Sequence, residues 1–389
     1  MVRWQQVKIG DVCVVERGGS PRPIDKFITE NESGINWIKI GDTTESMYIT
    51  GTAQKIIPEG AKKSRFVQAG DFLLSNSMSF GRPYILSIDG CIHDGWLVLR
   101  DQNNAFDKHF LYYCLSSPTT YMKFKSMAVG GVVNNLNSEM VRSVKIPLPP
   151  LDEQRKIAAV LDKVSDLIAK RRQQLDKLDE LIKARFVEMF GDVIQNTKLW
   201  PQYIFSDITT SRLGKMLDAK QQTGMCQYPY LANFNVQWFR FELDNLNEMD
   251  FDEADRIEFE LRDGDLLVCE GGEIGRCAVW HNEIQPCYFQ KALHRVRCKK
   301  EIVLPDYLAW WFKYNCDNKG FAAIEGAKAT ISHLPGAKLK ALLVSVPPIE
   351  QQNQFAAFVE QTEKTKTTIS KSLEKLETLK KALMQEYFG

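Results

Sequence analysis

Five histidines, nine cysteines and a few acidic runs supply the side chains from which this chain would have to build a catalytic or metal site. Their spacing argues against either. His93, His109, His281, His294 and His333 are isolated and read as structural or surface histidines. The cysteines are scattered singly, with no Cys-x-x-Cys pair, which reads as reduced thiols and no structural zinc. The glycine-rich CEGGEIGR at 269–276 lacks the G-x-G-x-x-G spacing that cradles a dinucleotide, so its glycines suit a turn. No G-x-x-x-x-G-K-[S/T] loop is present. The Pro-Pro pairs at 149–150 and 347–348 run into Leu151 and Ile349, where an adenine-methylating quartet would need an aromatic residue. The zinc-deaminase signature is missing as well. The acidic run Asp250-Phe251-Asp252-Glu253-Ala254-Asp255 has no glycine-bearing calcium loop and reads as a solvated helix start. These residues predict a chain without a catalytic site, metal or cofactor of its own.

What must position the remaining polar residues is a chain written twice. PLPPLDEQRKIAAVLDKV at 147–164 recurs as SVPPIEQQNQFAAFVEQT at 345–362, and the shift of 198 holds without a gap to Phe190-Gly191 and Phe388-Gly389. The regions ahead are related more loosely. Trp4, Gln6 and Asp11 match Trp200, Gln202 and Asp207; GDFLL at 70–74 matches GDLLV at 264–268; Gly81-Arg82 matches Gly275-Arg276. A period this long means domain duplication and not a repeat array. With 389 residues, two or more domains are expected in any case.

The repeated segments predict long helices over 152–190 and 350–388. Each has a proline-rich entry, an acidic first turn and a glycine just past its end. Ile157, Leu161, Val164, Ile168, Leu175, Leu178, Ile182 and Met189 alternate steps of three and four, interrupted by Arg171 and Arg185. Phe355, Val359, Thr362, Ile369, Leu373, Leu376, Leu383 and Tyr387 repeat the pattern, interrupted by Lys366 and Lys380. This is a coiled-coil seam. Each helix leaves its own copy of the domain, so a pseudo-two-fold pairing of the two would be antiparallel. GINWIKIGD (34–42), DFLLSNS (71–77) and GCIHDGWLVLR (90–100) read as strands with turns; 107–117 and 305–315 read as helices. The expected fold class is α+β: globular mixed α/β domains at 1–147 and 192–345, joined through helical segments 148–191 and 346–389 that form an antiparallel coiled coil.

This alternation resembles the specificity subunits of type I restriction–modification systems. The family's P-L-P-P-L-x-E-Q-x-x-I segment appears as Pro147, Leu148, Pro149, Pro150, Leu151, Glu153, Gln154 and Ile157. RGGSPRP…GINWIKIGD and the stretch YLANFNVQWFRFELDNLNEM…RDGDLLVCEGGEIGRCAVW are similar to its target-recognition domains. In the second copy Gln351 replaces Glu153, and Asn353-Gln354 replace Arg155-Lys156, so the two helical faces are not equal. The resemblance implies that each domain reads half of an asymmetric bipartite site on double-stranded DNA. The helices would set the spacer and dock two methyltransferase subunits. Those partners would bring S-adenosylmethionine, and a motor–nuclease subunit would bring ATP and Mg, leaving this chain non-catalytic.

Base reading needs polar side chains on loops. The candidates in the first domain are Arg17, Ser20 and Arg22, then Asn76, Ser77, Ser79 and Arg82, then Asn134 and Asn135. Aligned with them are Arg212 and Lys215, then Glu270, Glu273 and Arg276, then Lys328, Thr330 and His333. The shared Gly-Arg reads equally as a phosphate clamp or a structural turn. A formal net charge of +1 is low for a protein living on phosphate neutralisation, so partners would supply further contacts. The other reading is a coiled-coil scaffold that binds protein only. No run of about 18 apolar residues exists to cross a membrane, and the start lacks a secretory signal, so a cytoplasmic protein is expected.

Overall fold

The computed structural model describes residues 4–76, 80–128, 135–218, 222–322 and 333–389. They form two compact units. One comprises the chain up to Gln173 with Ile369–Gly389; the other is Gln174–Thr368. Each unit therefore holds one globular α/β part and half of each long helix, Leu151–Phe190 and Ile349–Phe388.

The main sheet of the first unit runs Cys13–Arg17, Trp96–Asp101, Phe72–Ser75 and Pro83–Leu86, all antiparallel, with Tyr48–Ile49 added parallel at the edge. The second unit repeats the four antiparallel strands as Thr209–Leu213, Leu293–Cys298, Leu266–Cys269 and Cys277–Val279. Phe72–Ser75 and Leu266–Cys269 are buried at every position, which explains their uninterrupted apolar runs. Both are entered through a Gly-Asp turn. Gly70 and Gly264 hold φ of 96° and 84°, a conformation that favours glycine. Asp71 and Asp265 accept from the backbone N–H groups of Gln68 and Arg262. They also pair with Arg100 at 3.0 Å and Arg297 at 2.7 Å on the adjacent strand.

A second sheet is where the units diverge. The first unit has five strands, with Ile35–Ile38 and Gly90–Ile92 parallel at its centre. Among the described residues the second has three, Asn247–Asp250, Gln227–Leu231 and Tyr288–Phe289, which repeat the central Lys55–Ile56, Ile35–Ile38 and Gly90–Ile92 with the same antiparallel and parallel pairings and lack the two outer strands. Each globular part is closed by pairing its first and last strands: Gln6–Lys8 with Lys145–Pro147, and Gln202–Ile204 with Leu343–Ser345.

The duplicated Pro-Pro-x-x-x-Gln motif has a shared structural task. Gln154, fully buried, donates to the carbonyls of Ala105 and Pro149 and accepts from the N–H of Asp107. Gln352 donates to Ile302 and Pro347 and accepts from Leu304 N–H. Each glutamine thus ties the start of a long helix to the loop that leads into Lys108–Ser116 or Pro305–Asp317.

The helices pair antiparallel within each unit. In the first, Ile157 and Leu161 near the start of one share a core with Met384 and Phe388 at the end of the other, and Arg172 bonds Glu377 at 2.8 Å. In the second, Phe186 and Phe190 at the end of one pack on Phe355 at the start of the other. The interrupting Lys366 is satisfied there by Asp179 at 2.7 Å, and Arg185 lies over the ring of Phe358. Phe186 and Phe190 are outside the expected seam because the helix end also packs against Tyr307, widening its buried face. Gly191 holds φ of 73° just past the first helix, as a C-terminal glycine should.

The acidic run at 250–255 needs correction. Asp252 does cap the helix Glu253–Phe259, but Asp250 and Phe251 are buried and not solvated. The Asp250 carboxylate gathers N–H and O–H donors from Thr223, Gly224 and Cys226. Burial alone would raise its pKa; these hydrogen bonds outweigh that and hold it below the usual range. The sequence carries no sign of this anchor, since its donors lie 24 to 27 residues away.

Candidate nucleic-acid interface

The candidate loops of the first unit meet at a turn that sequence reasoning passed over, the one between Gly90–Ile92 and Trp96–Asp101. Arg17 Nε and Asn76 Nδ2 both donate to the Asp94 carbonyl, at 3.0 and 2.8 Å. Ser20 Oγ donates to Asp94 Oδ1 at 2.8 Å, and the Arg22 guanidinium stands 3.5 Å from Oδ2. The third loop joins through Leu136, whose N–H donates to Asn76 O. Asn135, next in the chain, is exposed there. The Ser20 hydrogen bond is the main cause holding the Asp94 carboxyl below its ordinary range. Burial likewise pushes neighbouring His93 below the usual imidazole value.

Two candidates in this unit change role. Asn76 is only 1% exposed, so it anchors the turn and is not a surface reader. Arg82 lies apart from the others, donating to Thr44 O and covering the face of Tyr84. Ser77, Ser79 and Asn134 lie outside the described residues.

The second unit brings its loops together at the corresponding turn, 290–292. Lys291 N–H donates to Lys215 O, Glu270 N–H to Ala292 O, and Leu334 N–H to Glu270 O. His333 bridges to Gly271, placing the third loop beside the second. The Lys215 ammonium is committed inward, bonded to Asp250 O and Asp255 beneath the ring of Phe251. It locks the loop against the anchor described above, so it is not a free cation. Arg212 pairs with Glu258 at 2.7 Å while remaining half exposed. Arg276 donates to both Asn233 O and Asn233 Oδ1, and Glu273 accepts from Trp238 Nε1. Gly81 and Gly275 hold φ of 73° and 76°. With Arg276 occupied internally, the shared Gly-Arg is a structural turn in this unit. Lys328 and Thr330 lie outside the described residues.

His294 is a further residue that sequence reasoning left as ordinary. It is 2% exposed, and its Nε2 bonds the Leu334 carbonyl at 3.1 Å, fastening the third loop to the sheet. Burial pushes its pKa down. A Asp-Gly pair at 94–95 was the one available signal for the first turn; the second turn has none.

This scaffold matches a known family. The model of the type I restriction modification DNA specificity domain matches residues 1–180 and again 198–380, and the chain belongs to that family. It is 24% identical over 188 residues to the MjaVIII specificity subunit of Methanocaldococcus jannaschii, covering 48% of this chain and 42% of that protein. It is 21% identical over 388 residues to the EcoBI specificity subunit of Escherichia coli, covering 92% and 79%. The chain thus spans about two-fifths of the first relative's length and four-fifths of the second's. The fold is similar to the crystal structure of a type I S subunit from M. genitalium, with TM-score 0.58 at 13% identity over 100% of this chain and 96% of that one. No helix among the described residues is long and apolar enough to cross a membrane.

Proposed function

We propose that this chain is the DNA-specificity subunit of a type I restriction–modification complex, each unit reading one half of an asymmetric bipartite site on double-stranded DNA. One observation carries the reading: in both units three loops of unlike sequence converge on a single turn of an otherwise matched scaffold. Matched scaffolds give two equivalent docking positions, and unlike loops give two unlike half-sites. Loops hold polar side chains toward base edges while the sheets keep their spacing rigid.

The chain works without catalysis of its own. Two methyltransferase subunits dock along the paired helices and bring S-adenosylmethionine; motor–nuclease subunits bring ATP and Mg. With a net charge of +1, the chain alone releases few counterions on binding, so the partners add phosphate contacts and tighten the complex. The helices set the spacer. Inserting four residues after Lys177 adds about 6 Å of helix, enough for one or two base pairs.

The test is to reconstitute the chain with its cognate methyltransferase subunits and sequence the adenine methylation they deposit on a random library. A bipartite asymmetric motif is expected, with the insertion altering only its spacer. Absence of any sequence motif, with the methyltransferase still bound, would favour the protein-only scaffold.

A further inference from the structure

The two turns on which the loops converge are framed by the same four backbone hydrogen bonds. In the first unit Gly18 N–H donates to Trp96 O, Gly19 to Ile92 O, Asn76 to Gly95 O and Trp96 to His93 O. In the second, Gly214 donates to Leu293 O, Lys215 to Phe289 O, Glu270 to Ala292 O and Leu293 to Gln290 O. The glycines are demanded by contact: a Cβ on Gly18 would sit 2.1 Å from His93 O, and one on Gly214 2.3 Å from Gln290 O. This shared frame fixes the register without reference to sequence identity. Asp94 and Lys291 both stand two residues before the strand residue that accepts from the glycine. One position of a common scaffold thus carries opposite charges.

In each case the four frame bonds use backbone groups and leave the side chain partly open to solvent. Arg17 and Asn76 bind the Asp94 carbonyl, not its carboxylate. Ser20 engages Oδ1, with His93 Nδ1 3.8 Å from the same oxygen, and Arg22, itself 82% exposed, stands 3.5 Å from Oδ2. The Asp94 side chain is 44% exposed, leaving room for another donor. Lys291 is exposed and makes no side-chain hydrogen bond or ion pair among the described residues; its N–H holds Lys215 O. A carboxylate on a DNA-facing loop is repelled by phosphates. Accepting from a base amino group in the major groove offsets that repulsion, and a cation on the same loop instead suits guanine.

We propose that positions 94 and 291 are matched base readers of opposite polarity: Asp94 accepts from the N4 amino group of a cytosine in one half-site, and Lys291 donates to O6 and N7 of a guanine in the other. The inference rests on the reading of the chain as a DNA-specificity subunit. Each residue sets one base of its own half-site and leaves the other half-site alone, which makes the unmutated half an internal control.

The experiment compares wild type, Asp94→Asn and Lys291→Glu, each reconstituted with the methyltransferase subunits on a randomised bipartite DNA library and read by methylation sequencing. Asparagine keeps the acceptor toward Ser20 but pairs best with adenine. Asp94→Asn should therefore lower preference for cytosine at one position by about 5- to 100-fold, shift it toward adenine, and leave the second half-site unchanged. Lys291→Glu should relax or invert guanine preference at one position of the second half-site only. A wild-type complex without a bipartite motif would sink the parent reading of function. A bipartite wild-type motif whose base preferences survive both substitutions would overturn this inference. So would a loss of methylation equal across all sequences, which would make the two residues parts of the frame alone.

Discussion

Gln154 and Gln352 hold three hydrogen bonds each to corresponding places in the two units, and Asp71–Arg100 and Asp265–Arg297 repeat one strand-to-strand ion pair. The second sheets share a three-strand centre but differ at their edges, five strands standing against three among the described residues. The interface turns lie between these regimes, with identical backbone bonds and opposite side-chain charge. Parts that carry buried backbone groups are constrained by the need to satisfy them, which forces the same residue types in both copies. Parts that face solvent carry no such debt and are open to divergence. Duplication followed by divergence of the solvent-facing loops is therefore visible as a gradient of hydrogen-bond demand.

The strongest challenge to the equivalence is the glutamine pair. Gln154→Ala strands Asp107 N–H and the Ala105 and Pro149 carbonyls; Gln352→Ala strands Leu304 N–H and the Ile302 and Pro347 carbonyls. At about 1–3 kcal/mol for each orphaned buried group, each change should cost roughly 3 kcal/mol or more. Chemical denaturation of the two variants should show losses within about 1 kcal/mol of one another, by the same bookkeeping. A large inequality would break the structural parallel.

A smaller effect should separate the ion pairs. The Asp265 side chain is 3% exposed and Asp71 16%, so removing arginine leaves the more deeply buried charge in the second unit. Arg297→Ala should cost about 3 kcal/mol and Arg100→Ala about 1 to 2 kcal/mol, read by the same denaturation. The reverse order would show that Glu16, a further partner of Arg100, dominates the first unit.

His294 sharpens the contrast through pH. Its folded pKa is depressed below the unfolded value of about 6.5. The unfolded state therefore binds the proton more readily, and the stabilisation present above that value is lost as pH falls through it towards the folded pKa. Its counterpart in the first unit, Leu97 paired with Leu74, does not titrate; there the buried His93, one residue before Asp94, has the lowered pKa instead. Stability of wild type should fall more steeply below about pH 6.5 than that of His294→Gln. Equal slopes would remove His294 from the account. The smallest effect belongs to Arg22→Ala, which should change stability by less than about 0.5 kcal/mol because the side chain is 82% exposed. In the reconstituted complex it should reduce the salt slope of DNA binding by about 1.

How much was legible beforehand follows the same gradient. The long helices were readable to within a residue or two, because a repeated three-four apolar step, an acidic first turn and a terminal glycine all act locally. The Gly-Asp turns were readable as a match, though not as a strand-to-strand ion pair with residues about 30 positions away. The loops carrying Arg17, Glu270 and their neighbours are far apart in sequence, and their convergence is visible only in the fold. Individual side chains were not legible either: Asn76 is buried and Lys215 is spent on Asp250 and Asp255.

The sequence by itself determined the duplication, the fold class and the helical seam, because periodicity and capping are properties of adjacent residues. Only the tertiary structure decided which polar groups are already occupied and which remain available. That distinction depends on partners far apart in the chain: Arg17 and Asn76 on the carbonyl of Asp94, Asp250 on the 223–226 loop, His294 on Leu334. A polar residue type states what a side chain can bond; folding determines whether burial has already forced it to do so.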